Sequence, residues 1–270
     1  MKTPPFSVLM SLYDKELAHN LIQCLNSLKN QTVPPSEILI VLDGKINESL
    51  EAVLQEWETK LPINLIKLEK NIGLGSALNI GLKNCRYELI ARMDTDDIAL
   101  EERFELQLKS FITDKNLDIC GTDIIEYDEN IEVIRGRRKM PSHNNEIEKY
   151  IRYRNPINHM SVMFKKQAII RAGGYKHHLF MEDYNLWIRC LSKGFKLYNI
   201  NIPLLNVRTG KGMVKKRKGY KYILSEVQLF SLKRKHLEIN LISNLSILIF
   251  RVFIRILPIN FLNYLYKKRY

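Results

Sequence analysis

The sequence has no apolar run long enough to span a bilayer, and its N-terminus, Met1-Lys2-Thr3-Pro4-Pro5, lacks the apolar core of a signal segment. Secretion is therefore not expected. Cysteine is scarce: Cys24, Cys85, Cys120 and Cys190 are scattered without paired metal-ligand spacing, which suits reduced thiols of a cytosolic protein. Acidic residues are outnumbered, with 29 Asp and Glu against 42 Lys and Arg, for a formal charge of +13. No helix-turn-helix, zinc-finger or stacking-platform signature accompanies that charge, so nucleic acid is not the expected partner. Neither the P-loop nor the dinucleotide glycine fingerprint is present.

What remains is a chain of 270 residues with 46% apolar content, enough for one large domain or one domain with an appendage. Its positive charge is unevenly placed. Lys211 to Lys221 reads Lys-Gly-Met-Val-Lys-Lys-Arg-Lys-Gly-Tyr-Lys, and the chain ends Lys267-Lys268-Arg269-Tyr270. Clusters of this kind attract an anionic membrane surface or a diphosphate.

The stretch Leu89-Ile90-Ala91-Arg92-Met93-Asp94-Thr95-Asp96-Asp97 stands out: an apolar strand runs into three carboxylates within four residues. Strand alternation puts Asp94 and Asp96 on one side and Asp97 on the other. Carboxylates this close repel unless a cation or donors satisfy them, and a hard divalent ion, Mg2+ or Mn2+, carrying phosphate oxygens is the usual solution. An acidic turn leading into a helix near Leu100, with Asp97 as its N-cap, accounts for the same residues.

The flanking segments favour the site. Phe6 to Tyr13 is a buried-type strand ending at Asp14, Lys15 to Asn30 is helical in spacing, and Glu37 to Leu42 is a second strand ending at Asp43-Gly44. A helix from Asn47 to Lys60, a strand over Ile63 to Leu68, a helix opened by Asn71-Ile-Gly-Leu-Gly and the strand into the acidic cluster follow. Repeated strand–helix units build a mostly parallel sheet with helices on both faces. Ligands on such sheets sit beyond the strand C-termini, where Tyr13, Asp43 and Asp94 to Asp97 all fall. Gly73 and Gly75 open a helix, where backbone can approach a ligand closely, although a simple turn explains them as well. Farther on, an amphipathic helix spans Leu100 to Phe111, a strand Leu117 to Ile125, a second strand Glu132 to Arg135 and a helix His143 to Arg154. Ser161 to Phe164 is a strand, Lys166 to Ala172 a short helix, and Gly173-Gly174 a tight turn. Glu182 and Asp183 begin the helix that continues through Trp187, where acidic residues also suit the helix dipole.

Taken together, these segments resemble the family 2 glycosyltransferases. The shared elements are Ser11-Leu12-Tyr13, Val41-Leu42-Asp43-Gly44, Asn71-x-Gly-x-Gly-x-Ala77, Ala91-Arg92-Met93-Asp94-Thr95-Asp96-Asp97, His159-x-Ser161, Gly173-Gly174-Tyr175 and Glu182-Asp183-Tyr184-x-Leu-Trp187. The likeness is strongest to the bacterial branch that assembles O-antigen, capsule and amylovoran-type exopolysaccharide. It implies a GT-A, nucleotide-diphospho-sugar transferase fold of the α/β class over residues 1–210, with a mostly parallel central sheet flanked by helices. A basic loop and C-terminal helical, membrane-associating tail would occupy 211–270.

The resemblance further implies that Tyr13 and Asp43 contact the uracil of a UDP-sugar donor. Asn71, Gly73, Gly75 and Arg92 would lie by the nucleoside, and Arg208 near the diphosphate. Asp94 would approach the ribose or metal, Asp96 would hold the metal (Mn2+ or Mg2+), Asp183 would be the general base and Glu182 its neighbour. The acceptor would be an undecaprenyl-diphosphate-linked saccharide, met at the cytoplasmic face of the bacterial inner membrane by a peripheral enzyme. His159 is a secondary candidate for acceptor contact, or a structural histidine. Asp14 inherits no role. A nucleotidyltransferase, or a catalytically idle nucleotide-binding membrane scaffold, is the alternative reading. The first would need a phosphate-gripping lysine loop after strand one, which Tyr13-Asp14-Lys15 does not supply.

In the tail, Leu241 to Leu257 is apolar but for a few polar residues, Arg251 and Arg255 standing four apart on one helical face. It is too short for a span. An interfacial helix with its apolar face in lipid and its arginines at anionic head groups is expected; docking on the protein's own core is the other outcome.

Overall fold

The computed structural model describes residues 3–209 and 218–257. Strand β1 (Phe6–Leu12) is buried along nearly its whole length, and β2 (Glu37–Leu42) along all of it. Such runs suit a strand covered on both faces. Alternation sorts β1 between two cores: Val8, Met10 and Leu12 join one, while Leu9 joins the other with Leu39 and Val41 of β2. Helices α1 (Ala18–Lys29) and α2 (Glu48–Trp57) cover the first side, and α3 (Leu74–Asn84) the second. Asn47 caps α2 by accepting from the Leu50 N–H at 3.1 Å, a contact worth about 1 kcal/mol. Gly81 lets α3 lie close on the sheet, since a Cβ there would meet Leu9 Cδ1 at 2.3 Å.

Strands β3 (Ile63–Lys67), β2, β1 and β4 (Leu89–Arg92) pair in that order, all parallel. Beyond β4 the sheet is mixed. β8 (Met163–Lys165) inserts antiparallel between β4 and β6 (Leu117–Tyr127). β6 runs parallel to β9 (Lys196–Arg208), whose far edge takes the two-residue β5 (Ile98–Ala99). β7 (Ile134–Arg138) pairs with β6. Helices α4 (Arg103–Thr113), α5 (Asn144–Tyr150), α6 (Lys166–Arg171) and α7 (Glu182–Ser192) flank this half. The chain finishes its described part with α8 (Tyr220–His236) and α9 (Leu241–Ile256).

Several expectations shift. No helix starts at Asp97: α4 begins at Arg103, after Glu102, and Asp97 instead precedes β5. The α5 helix is shorter than expected, ending at Tyr150 before the Asn155-Pro156 break. The second strand of the hairpin begins at Ile134 rather than Glu132, and β9, thirteen residues long, was not expected. The apolar face of the tail helix is outward as expected, but its arginines are not. Arg251 and Arg255 point at the protein, both paired with Glu226 of α8, so the face expected at lipid head groups docks on the protein. Among the described residues, no helix is long and apolar enough to cross a membrane.

Candidate active site

The C-terminal ends of β1, β2 and β4 share one edge, with Leu12 paired to Leu42 and Leu9 to Arg92. The residues that follow these strands form the candidate site. Asp43 is buried, and its two carboxylate oxygens accept the N–H groups of Ile72 at 2.7 Å and Gly73 at 3.0 Å. Asn71 Nδ2 returns a bond to the Asp43 carbonyl at 3.1 Å. The Asn71 loop is thus fastened to β2. It also needs Gly44, whose φ of 92° falls in the left-handed region and whose missing Cβ would sit 2.8 Å from Asn71 N. Gly75 carries the loop toward the opposite wall: a Cβ there would lie 3.5 Å from Tyr175 Cβ and 3.6 Å from Glu182 Cγ. Tyr13 is 45% exposed at the mouth, its phenol raised by partial burial and by Glu16 and Asp96.

The acidic cluster is tighter than strand alternation allows. β4 ends at Arg92, Thr95 and Asp96 lie in a turn, and one oxygen each of Asp94, Asp96 and Asp97 falls within 4.8 Å of the others. Asp97 therefore joins the group and does not point away. Burial and the Asp94 and Glu16 charges push Asp96 up to about 7. Asp97 is raised by burial and by Asp96, and its Oδ2 is buried without a hydrogen-bond partner among the described residues. An all-oxygen set with an unmatched buried lone pair and mutual repulsion fits a hard divalent cation.

Arg208, at the end of β9, closes this edge. Its backbone N–H donates to Asp97 Oδ1 at 3.2 Å, and its guanidinium bonds to the Asp96 carbonyl, to Gln23 and to the Glu129 carbonyl. Residues 210–217, expected to cover a diphosphate, lie outside the described residues, as does the terminal cluster 267–270.

Arg92 joins the two halves of the cleft. It is 2% exposed and bonded to Asp94 through Nη2, while Nε and Nη1 have no hydrogen-bond partner among the described residues. Although burial opposes its charge, Asp94 and Tyr175 hold it protonated. The same guanidinium lowers Asp183, so residue 183 lies within electrostatic reach of the Asp94 group. Asp183 stands in the first turn of α7, its Oδ2 taking a bond from Asn155 Nδ2 at 2.6 Å and its Oδ1 from Tyr184 N at 2.7 Å. Burial raises it on balance, and Glu182 is raised by burial and by its acidic neighbour. His159 Nε2 is 2.8 Å from the Tyr175 hydroxyl; burial and Arg92 press its pKa well down, so it is neutral at pH 7. Asn155 and Tyr175 complete the wall around Asp183.

A family model for glycosyl transferase family 2 matches residues 7–179, most of the chain. The chain belongs to this family. As a family 2 glycosyltransferase it is 45% identical, over 97% of its length and 98% of the relative's, to the amylovoran biosynthesis glycosyltransferase AmsE of Erwinia amylovora. It is 39% identical to a UDP-Gal:alpha-D-GlcNAc-diphosphoundecaprenol beta-1,3-galactosyltransferase of Escherichia coli, over 98% of this chain and 96% of that one. Among solved structures, a mannosyltransferase of Pyrobaculum calidifontis, in complex with GDP-Man and Mn2+, superposes with a TM-score of 0.68 at 15% identity. The superposition covers 93% of this chain and 70% of that one, and shows the shared fold. The fold is GT-A, as the resemblance implied.

Proposed function

We propose that this glycosyltransferase moves a hexose, glucose or galactose, from its UDP-sugar to an undecaprenyl-diphosphate-linked saccharide during bacterial surface polysaccharide assembly. The linkage formed is β, by inversion. The observation that carries the reading is convergence: Asp94, Asp96 and Asp97 group at one end of Arg92, and Asp183 lies within reach of the same guanidinium. Of the relatives named above, one is named for amylovoran biosynthesis and another for a UDP-Gal donor and an alpha-D-GlcNAc-diphosphoundecaprenol acceptor.

Asp94 and Asp96, joined by Asp97, would hold Mn2+ or Mg2+. When bound, that ion supplies neutralisation of charge on the departing diphosphate. The remaining roles belong to the chain. Tyr13 and Asp43 line the base, Asn71, Gly73 and Gly75 the nucleoside, and Arg208 the diphosphate edge. Arg92 keeps Asp94 aimed, and its charge, with the Tyr184 N–H and Asn155 bonds, works against the upward push of burial on Asp183. Asp183 takes the proton of the acceptor hydroxyl as the new bond forms, which contributes roughly 100- to 10,000-fold. Asn155 and the Tyr184 N–H fix which way its carboxylate faces. Glu182 sits between Asp183 and the Gly75 loop.

Residues 1–210 form the catalytic unit and 211–270 the segment that meets the cytoplasmic face of the inner membrane, where a lipid-borne acceptor resides. The test is transfer from radiolabelled UDP-glucose and UDP-galactose to a synthetic GlcNAc-diphosphate-lipid, with Mn2+ and with chelator. Transfer that needs the ion supports the reading; no transfer from any UDP-hexose, or transfer indifferent to chelator, overturns it.

A further inference from the structure

Helix α9 is seated with its polar side on the protein and its apolar side in solvent. Asn244 Nδ2 donates to the Phe230 carbonyl at 3.1 Å, and Arg251 and Arg255 both reach the buried carboxylate of Glu226. Arg251 Nη1 adds a bond to the Tyr153 carbonyl at 2.9 Å. On the other side Ile242, Leu245, Ile249, Phe253 and Ile256 recur at three- and four-residue spacing, Ile242 being 75% exposed, Ile249 62% and Phe253 60%. A continuous outward apolar stripe of this kind marks an interaction surface.

We infer that this stripe is the surface by which the chain lies on an anionic bilayer, and that Glu226 sets its orientation by holding both arginines away from the lipid. The inference rests on the peripheral-membrane reading above and adds the face, the residues and the carboxylate that holds the helix's polar side on the protein. Charge selects a lipid as the occupant. Residues 211–270 hold fourteen Lys and Arg against two acids, Glu226 and Glu238, and so carry twelve of the thirteen net positive charges. Glu226 is spent internally, and α9 itself has no acidic residue. A net charge of this size disfavours a second copy of the chain as the occupant. An anionic membrane offers apolar depth to the stripe and counter-charge to its surroundings.

The same clamp reaches the catalytic wall. Lys233 of α8 lies 5.2 Å from the Tyr184 ring centroid and donates to the Arg152 carbonyl at 2.6 Å, while the Arg251 guanidinium is 6.0 Å from that ring. Tyr184 follows Asp183 in the chain and bonds through its hydroxyl to the Ile151 carbonyl at 2.5 Å. The bilayer-facing helix is therefore mounted on the first turn of α7, which holds the proposed base at a fixed height above the lipid carrying the acceptor.

Co-flotation of the full-length protein with phosphatidylcholine vesicles, with and without phosphatidylglycerol, tests the inference. The wild type floats with the anionic vesicles. Ile249→Asp/Phe253→Asp loses apparent affinity by about tenfold or more, and transfers to a short-chain, water-soluble acceptor at the wild-type rate. Arg251→Gln lowers the thermal midpoint and leaves flotation within about twofold of wild type. The described native cysteines are all buried, so an environment-sensitive dye on Phe253→Cys reports lipid contact directly. Wild-type flotation by the double variant overturns the inference. So does loss of a concentration-dependent dimer as its sole effect, or an Arg251→Gln variant with weakened flotation and an unchanged midpoint. Absence of transfer by the wild type to any acceptor would strike the functional reading and leave the vesicle result standing.

Discussion

Replacing Asp183 by Asn separates proton transfer from every other role of the site. The side chain keeps its shape but cannot take the acceptor proton. The structural cost is small and can be traced. Asp183 now receives Asn155 Nδ2 on one oxygen and Tyr184 N on the other, at 2.6 and 2.7 Å. The new amide keeps the Tyr184 bond through its oxygen and presents an NH2 to Asn155. Asn155 must then turn its own oxygen inward, giving up the long 3.4 Å bond to Ile157 N. One weak bond exchanged amounts to about 1 kcal/mol of stability at most. Loss of the base costs roughly 100- to 10,000-fold in rate, or about 2.7–5.5 kcal/mol of transition-state stabilisation. The assay is initial-rate transfer to a GlcNAc-diphosphate-lipid across pH, beside donor affinity by calorimetry. Burial raises Asp183 from its ordinary value, and a base works only when deprotonated. The wild-type rate therefore falls as pH drops through that raised value, and the variant lacks this limb. A variant with near wild-type turnover, or one whose only defect is weaker donor binding, would refute the assignment.

Asp96→Ala abolishes metal-dependent turnover, checked by activity against Mn2+ concentration; an unchanged metal response removes Asp96 from the ion site. Gly44→Ala puts a Cβ 2.8 Å from Asn71 N at a backbone φ of 92°, so the Asn71 loop must shift. The expected loss is about 1–3 kcal/mol of stability with a raised donor KM, read by thermal melts and donor titration. Lys233 is lowered from 10.5 to about 7, first by burial and then by Arg251. Between those values the unfolded chain holds a proton that the native chain does not, so stability rises with pH across that window. Lys233→Met flattens the rise, and parallel melting profiles for variant and wild type from pH 7 to 10 would contradict this.

The parallel half of the sheet is readable because β1 and β2 are apolar runs bounded by polar turns, and their ends declare the ligand edge. Strand β9 escapes a pattern reading for a physical reason. It carries Asn199, Asn201, Pro203 and Asn206, and the buried Asn199 amide finds its acceptors on distant chain, Nδ2 donating to the carbonyls of Pro141 and Pro156. Asp97 was misplaced because alternation assumes that β4 continues, whereas the chain turns after Arg92. Arg103 lies in a helix whose polar residues are expected outside, yet it is buried, donating to the Arg92 carbonyl at 2.7 Å. For the tail, four-residue spacing identifies the shared face of Arg251 and Arg255. Which way that face looks depends on Glu226, twenty-five residues earlier than Arg251, and no local rule pairs them.

The bond from the Arg208 backbone to Asp97 spans 111 positions of chain. During synthesis the acidic turn emerges from the ribosome long before the strand that shuts its outer side. Until residue 208 has been made, those carboxylates face water with one margin of their cleft open.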